Sequence, residues 1–421
     1  MSRVAEGTAF DVLVVGAGPA GSAASIELAR RGRSVALCDR ARFPRDKTCG
    51  DGLTTGALRR LDQLGLRPES VASFRTVGEL AVQAPSGRKT YLPFRRDPGV
   101  FAAVARRVDL DAALLERARV EGATAIEGAR FVSIAAKNDD VVNVRFTDHP
   151  EIRARVVVAA DGAWSEVRRS IFGKDPLERR PDWMAWRGYV NDVGTTKTAP
   201  MWVWFDRALL PGYGWSFPLP DGTVNVGVAT PGWTGRRFAE AWRSVVDGAF
   251  LRSLTGSRAS LEAPARAWPI PARLDLGALS ALDGRVLFVG DAAGAADPFT
   301  GEGIGQALET GIAASHAIAD HWESGQRRAA VAYREAIAAG LAKDHALSRL
   351  CRGLFSHPIS TDAALRAVDS SPFIRRNVAR WLFEDYPRAF VTSPERWKIA
   401  RRRAPGAFAS IRHVSELSLG E

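Results

Sequence analysis

Phe10-Asp11-Val12-Leu13-Val14-Val15-Gly16-Ala17-Gly18-Pro19-Ala20-Gly21 is a short β-rich run that enters a glycine-rich turn. The apolar run reads as a buried strand. A helix is predicted from about Ala20 to Arg31, and Gly32 ends it. Ser34-Val35-Ala36-Leu37-Cys38 is the next strand, with Asp39 at its end and Arg40 beside it. Each glycine has a task in such a turn. Gly16 permits the tight bend, Gly18 lets the backbone approach a pyrophosphate, and Gly21 allows the helix to pack on the strand. The helix N-terminus offers N–H groups and partial positive charge to phosphates. Asp39 lies roughly twenty residues on, where an acid accepts ribose hydroxyls. Strand, turn, helix, strand and acid in this order predict a bound dinucleotide. Gly16, Gly18, Ala20, Gly21, Asp39 and Arg40 form the first part of its site.

The bulk properties agree with an enzyme of two or three domains. The chain has 421 residues, and 46% are hydrophobic, enough for sizeable cores. Net charge is +11, spread along the chain rather than gathered in one arm. Such a balance suits a basic protein, a membrane surface or an acidic ligand. No zinc-ligand spacing and no RNP-like aromatic motif occurs, so no nucleic-acid partner is expected and no metal site is assigned. The 3 cysteines, Cys38, Cys49 and Cys351, are too few and too odd for a disulfide framework. Met1 to Thr8 is polar, and no run reaches the ~20 apolar residues of a membrane span. The expected location is cytoplasmic or on the membrane's inner face.

Two later segments choose among dinucleotides. Val156-Val157-Val158-Ala159-Ala160-Asp161-Gly162 is an apolar strand ending in Asp-Gly. Val286-Leu287-Phe288-Val289-Gly290-Asp291 is another ending in Gly-Asp, followed by Asp297-Pro298 and Gly301-Glu302-Gly303-Ile304. Together with Arg107-Val108-Asp109-Leu110-Asp111, this order resembles the hydroxylase branch of flavoproteins, which includes para-hydroxybenzoate hydroxylase. The resemblance implies FAD, with Asp291 at the ribityl chain and Arg107 near the flavin. It also implies an α/β fold: a glutathione-reductase-like Rossmann FAD domain with an inserted antiparallel substrate sheet. Asp161, Gly162, Gly290, Pro298, Gly301, Gly303 and Ile304 join the cofactor set. A helix is predicted from roughly Glu302 to Trp322, its N-terminus favouring the negative charge of a reduced flavin.

The remaining chain sorts by character. Strand-like runs at Met201–Phe205, Trp215–Pro218 and Thr223–Ala229 predict a second sheet, with turns at Pro85-Ser86-Gly87 and Asp97-Pro98-Gly99. The expected division is 8–76, 102–180 and 272–345 for the FAD domain and 77–101 and 181–271 for the substrate domain. A helical, Arg-rich region follows at 346–421, including Phe373 to Phe383 and Pro394 to Arg403. It either covers the core or contacts another surface.

Two stretches carry a sharper resemblance. They are Phe43-Pro44-Arg45-Asp46-Lys47-Thr48-Cys49-Gly50-Asp51-Gly52-Leu53 and Pro211-Gly212-Tyr213-Gly214-Trp215-Ser216-Phe217-Pro218, the latter continuing to Asn225-Val226-Gly227-Val228. Together they look like the geranylgeranyl reductase family, and most like its bacterial menaquinone reductases. That resemblance implies saturation of C=C bonds in an isoprenoid chain by hydride transfer from reduced flavin, on a hydrophobic or lipid substrate. It places Tyr213, Trp215 and Phe217 in the wall of the substrate cavity, and Cys49 and Gly50 close to the flavin. Read alone, three aromatics at period 2 also describe the core face of a strand. Cys49 is either a proton donor or a small packing residue, and Tyr213 is a second candidate donor. Lys47 and Arg45 are expected in solvent or near cofactor phosphates, and His316 on the helix as a packed or surface residue.

The reductant stays open between NAD(P)H and a ferredoxin, because no second Gly-x-Gly-x-x-Gly appears and the hydroxylase branch also lacks one. The competing reading is an aromatic monooxygenase or halogenase on the same scaffold. Tyr213 and Phe217 replace the first Trp and the Ile of the halogenases' Trp-x-Trp-x-Ile-Pro segment, which counts against halogenation. Arg401, Arg402 and Arg403 favour an anionic membrane surface.

Overall fold

The computed structural model describes residues 9–94, 98–138, 141–173, 182–191, 199–232, 239–240, 242–243, 260–383, 389, 394 and 405–410. The proposed second half of the Arg-rich tail, including Arg401 to Arg403, and the residue Asp97 lie outside them.

A parallel sheet forms around the strand that opens the chain. Ala9–Val15 sits between His149–Ala159 and Val35–Asp39, with Val12 opposite both Val156 and Val35. Val286–Phe288 extends one side and Thr124–Glu127 the other, both in parallel. Val12, Leu13, Val14, Val157 and Val158 are fully buried. Such continuous apolar strands are expected when helices cover both faces. Helix Pro19–Arg30 packs beneath helix Ile304–Asp320. An added Cβ on Gly311 would come 2.2 Å from the Ala20 carbonyl oxygen, so only glycine permits that approach.

The helix predicted from Glu302 begins later, at Ile304. Glu302 stays outside it and accepts the Gly305 N–H at 2.6 Å. Gly303 is the N-cap and offers no side chain, so the acid one residue earlier satisfies this first-turn donor.

A second sheet runs in the order Ser260–Leu261, Trp183–Asn191, Val224–Pro231, Tyr213–Pro218, Met201–Trp204, Glu79–Gln83, Lys89–Pro93. Arg266–Ile270 pairs with the same edge of Trp183–Asn191 as Ser260–Leu261, nearer that strand's start. The sheet departs from the antiparallel expectation at one seam: Met201–Trp204 runs parallel to Glu79–Gln83. The two strands are separated by most of the parallel-sheet region, so no tight turn joins them and antiparallel pairing is not imposed. Helices Leu341–Leu354, Pro358–Asp369 and Pro372–Phe383 follow, and the last packs on the edge hairpin through Phe383 against Phe94. Among the described residues no helix is long and apolar enough to cross a membrane.

Candidate active site

The glycine-rich turn lies at one end of a cavity of about 1140 Å³. Gly16 has φ +104°, and an added Cβ would lie 2.3 Å from the Ala160 carbonyl oxygen. On Gly21 it would lie 1.8 Å from the Gly16 carbonyl oxygen. These two glycines hold the turn together. Gly18 differs, because a Cβ there meets only the guanidinium ends of Arg45 and Arg107, at 3.8 and 3.9 Å. It faces the cavity. No side chain caps the helix at Gly18, so the first turn presents its backbone donors to that space. Asp39 is held at the rim by the N–H groups of Ala17 and Ala41, each at 2.8 Å. The open glycine, the helix N-terminus, two guanidinium groups and the positioned acid fit the diphosphate and ribose of FAD.

Further along, Arg40, Cys49, Gly50, Arg107, Gly290, Asp291, Gly301, Gly303 and Ile304 line the same cavity. Arg107 makes a two-pronged pair with fully buried Asp111, both contacts 2.7 Å, and Arg45 joins it at 3.0 Å. Lys47 also lines the wall, its ammonium 3.7 Å over the Trp268 ring. Burial pulls its pKa down to about 7, against the opposing field of Asp291. Burial likewise raises the Asp291 carboxyl, with Lys47 and Arg107 acting the other way.

Asp161 and Gly162 also line the cavity, and Gly21 makes the close packing contact that the sequence assigns to it. Asp161 accepts the Ser165 hydroxyl at 2.6 Å and the Val167 N–H at 3.0 Å, and so fastens the helix Glu166–Phe172. Pro298 is behind the wall, its carbonyl accepting the Trp183 indole N–H at 3.1 Å.

Tyr213, Trp215 and Phe217 alternate along the strand Tyr213–Pro218, and all three line the cavity. Gly50 and Gly52 let the Cys49 loop lie flat on them: a Cβ on Gly52 would stand 3.0 Å from the Phe217 ring. The Tyr213 hydroxyl donates to the Thr300 carbonyl. Burial raises its pKa well above the phenolic norm. It also raises that of the Cys49 thiol, against the pull of Arg107. Tyr213→Phe keeps the ring and loses one hydrogen bond, so turnover should fall by less than about tenfold. A thousandfold loss in steady-state assays would instead make this hydroxyl the proton source.

Beyond the aromatic wall the cavity becomes an apolar chamber. Leu80, Val82 and Leu92 come from the edge strands; Phe355, Leu365 and Phe383 come from the terminal helices. Sequence reading left the role of those helices open and did not single out these residues. It also passed over a polar cluster under the wall. Asp51 accepts the Tyr189 hydroxyl at 2.6 Å and the Asn225 amide at 2.7 Å. Asn225 also donates to the Cys49 carbonyl at 2.8 Å and accepts the Trp215 indole N–H at 2.9 Å. A fully buried asparagine within Val-Asn-Val-Gly-Val was the available signal.

An α/β fold with a dinucleotide turn and a Gly-Asp strand end on one cavity defines an FAD-dependent oxidoreductase. The family model for the FAD binding domain matches residues 9–339. Menaquinone reductase of Mycobacterium tuberculosis is 36% identical over 319 residues, 73% of this chain and 76% of that protein. Digeranylgeranylglycerophospholipid reductase 1 of Methanopyrus kandleri is 32% identical over 321 residues, 72% of this chain and 78% of that protein. A geranylgeranyl bacteriochlorophyll reductase-like structure from Thermoplasma acidophilum superposes with TM-score 0.75 at 21% identity, covering 92% of this chain and 99% of that one. The chain belongs to the geranylgeranyl reductase family of FAD-dependent oxidoreductases.

Proposed function

We propose that this enzyme saturates C=C bonds in the polyprenyl chain of a quinone, diphosphate or lipid. The observation that carries this reading is one continuous cavity joining the flavin end to an apolar chamber. A polyprenyl chain offers only apolar surface and π-bonds, and an aromatic and aliphatic tube is its natural host. The two relatives above are named for menaquinone and for a digeranylgeranylglycerophospholipid. Both molecules carry polyprenyl chains, while their head groups differ.

FAD bound at the glycine-rich turn supplies the reducing equivalents. Gly16, Gly18, Ala20, Asp39 and Arg40 would hold its adenosine and diphosphate end; Arg107, Gly290, Asp291, Gly301, Gly303 and Ile304 would hold the rest. When protonated, Lys47 would bring positive charge to the wall that would face a reduced flavin. Tyr213, Trp215 and Phe217 exclude water and fix the alkene against the site. The reductant is NAD(P)H or a ferredoxin, docking transiently. Exposed Leu350 and Ile359 on the terminal helices, 72% and 74% accessible, support peripheral contact with the membrane in which such substrates reside.

The test is high-resolution mass spectrometry of prenyl lipids and quinones from a host with and without the gene. A gain of two hydrogens per bond is expected. A gain of oxygen on another molecule would move the protein to the monooxygenases.

A further inference from the structure

Hydrogen added across an isolated double bond needs a proton as well as a hydride equivalent, and the proton's source is a question of acidity and place. The two donors suggested by the sequence, Cys49 and Tyr213, are both made poorer acids by burial. A third acid stands in the same wall. Asp51 is 0% exposed, lines the cavity, and sits between two glycines with φ +63°. Its backbone N–H points to the Cys49 sulfur at 3.4 Å, and its carbonyl accepts the Ala105 N–H at 3.0 Å.

The two carboxyl oxygens have unlike surroundings. Oδ2 accepts two donors, from Tyr189 and Asn225. Oδ1 is buried with no hydrogen-bond partner among the described residues. In a neutral carboxylic acid the carbonyl oxygen accepts and the hydroxyl oxygen carries the proton. A carboxylate with one oxygen buried and bare is expensive, and a neutral acid in the same place costs less because no charge is buried. The arrangement therefore describes a carboxylic acid whose proton is on Oδ1.

Resting on the isoprenoid reading above, we propose that Asp51 is the acid that protonates the substrate alkene. One carbon of the double bond takes the hydride equivalent. The other takes the Asp51 proton, the π electron pair forming that C–H bond. The alkene becomes an alkane, Asp51 is left as the carboxylate, and water restores its proton. The two electrons come from the reduced cofactor, which the external donor, NAD(P)H by class, reduces again.

The groups facing Asp51 set its titration. Burial pushes its pKa up to about 6, opposed by the Tyr189 hydrogen bond, the Arg187 guanidinium, the Asn225 amide and Arg107. Arg187 in turn is tied to Asp46 at 2.8 Å, and Arg187 and Arg106 both stack on the Tyr189 ring. The Cys49 thiol is the remaining titratable neighbour. Because the folded state holds this proton more tightly than the unfolded chain, the acid's contribution to stability is present at low pH. It is lost as pH rises from the ordinary carboxyl value of 3.8 through about 6.

Asp51→Asn is the decisive variant, since its amide oxygen still accepts from Tyr189 and Asn225 while the acidic proton is gone. In single-turnover mixing of chemically reduced holoenzyme with a prenylated quinone, the wild-type rate should fall as pH rises above about 6. The variant should be at least about a hundredfold slower and flat with pH, with FAD affinity unchanged. In the apoprotein, the melting midpoint of the variant relative to wild type should climb between pH 4 and pH 6 and level off beyond. Tyr189→Phe removes one donor from Oδ2 and should move the wild-type pH break upward, a change that a purely structural role would not produce. An Asp51→Asn enzyme within threefold of wild type, or an apoprotein difference flat with pH, overturns the proposal. A wild-type enzyme that leaves the prenyl chain untouched sinks the isoprenoid reading instead, and the apoprotein titration then judges alone whether Asp51 holds a proton.

Discussion

Gly18→Val should weaken FAD binding while leaving the apoprotein folded. Gly18 has φ −74° and ψ −173°, extended backbone that any residue adopts. Its added Cβ touches no backbone atom within 4 Å, only the mobile ends of Arg45 and Arg107. The new isopropyl group would stand where the diphosphate must approach the helix N-terminus. Losing those backbone contacts should lower FAD affinity by about a hundredfold or more, roughly 2.7 kcal/mol. The apoprotein's melting midpoint should stay within a few degrees of wild type. Gly21→Ala should do the reverse, because its Cβ would drive into the Gly16 carbonyl and overpacking of this kind costs about 1–3 kcal/mol. Flavin titration by fluorescence quenching and thermal melting of both apoproteins separate the two effects. Loss of fold in Gly18→Val would show that this position supports the turn and not the ligand.

Leu365→Trp should shorten the chain the enzyme accepts. Leu365 is 5% exposed on helix Pro358–Asp369 and packs in the chamber with Leu80, Val82 and Leu92. The indole would fill space otherwise available to about one isoprene unit. At about 0.8 kcal/mol per buried carbon group, one unit is worth roughly 3–4 kcal/mol. KM for long prenyl chains should therefore rise by several hundredfold, with kcat nearly unchanged, since the interaction lost is shared by ground and transition states. Short-chain substrates should be unaffected. Steady-state kinetics over a chain-length series makes the comparison. No loss for long chains would mean that substrates do not reach this helix.

The cofactor end was legible because its parts are contiguous. Strand, turn and helix from Phe10 to Arg30 are decided by neighbours in the chain. Pro298 shows the limit of that kind of reading: it sits in a recognisable motif, yet it lies behind the wall with its carbonyl on the Trp183 indole. The acid under the aromatic wall depends on partners far away in sequence. Asp51 and Tyr189 are 138 residues apart, and Asp51 and Asn225 are 174 apart. No local periodicity encodes such a meeting. The parallel seam between Glu79–Gln83 and Met201–Trp204 was hidden for the same reason. The apolar faces of the terminal helices were visible as faces, but amphipathic helices do not announce what they cover.

The parallel seam and the terminal helices together make the chamber a composite of three separately encoded pieces. The edge hairpin Glu79–Pro93, the strand Met201–Trp204 and the helices from Leu341 to Phe383 each supply one side. None of them carries the glycine-rich turn or the Gly-Asp strand end. Evolution can therefore exchange the helical lid as a cassette, re-tailoring the enzyme to chains of other lengths and branching, while the redox machinery is inherited untouched.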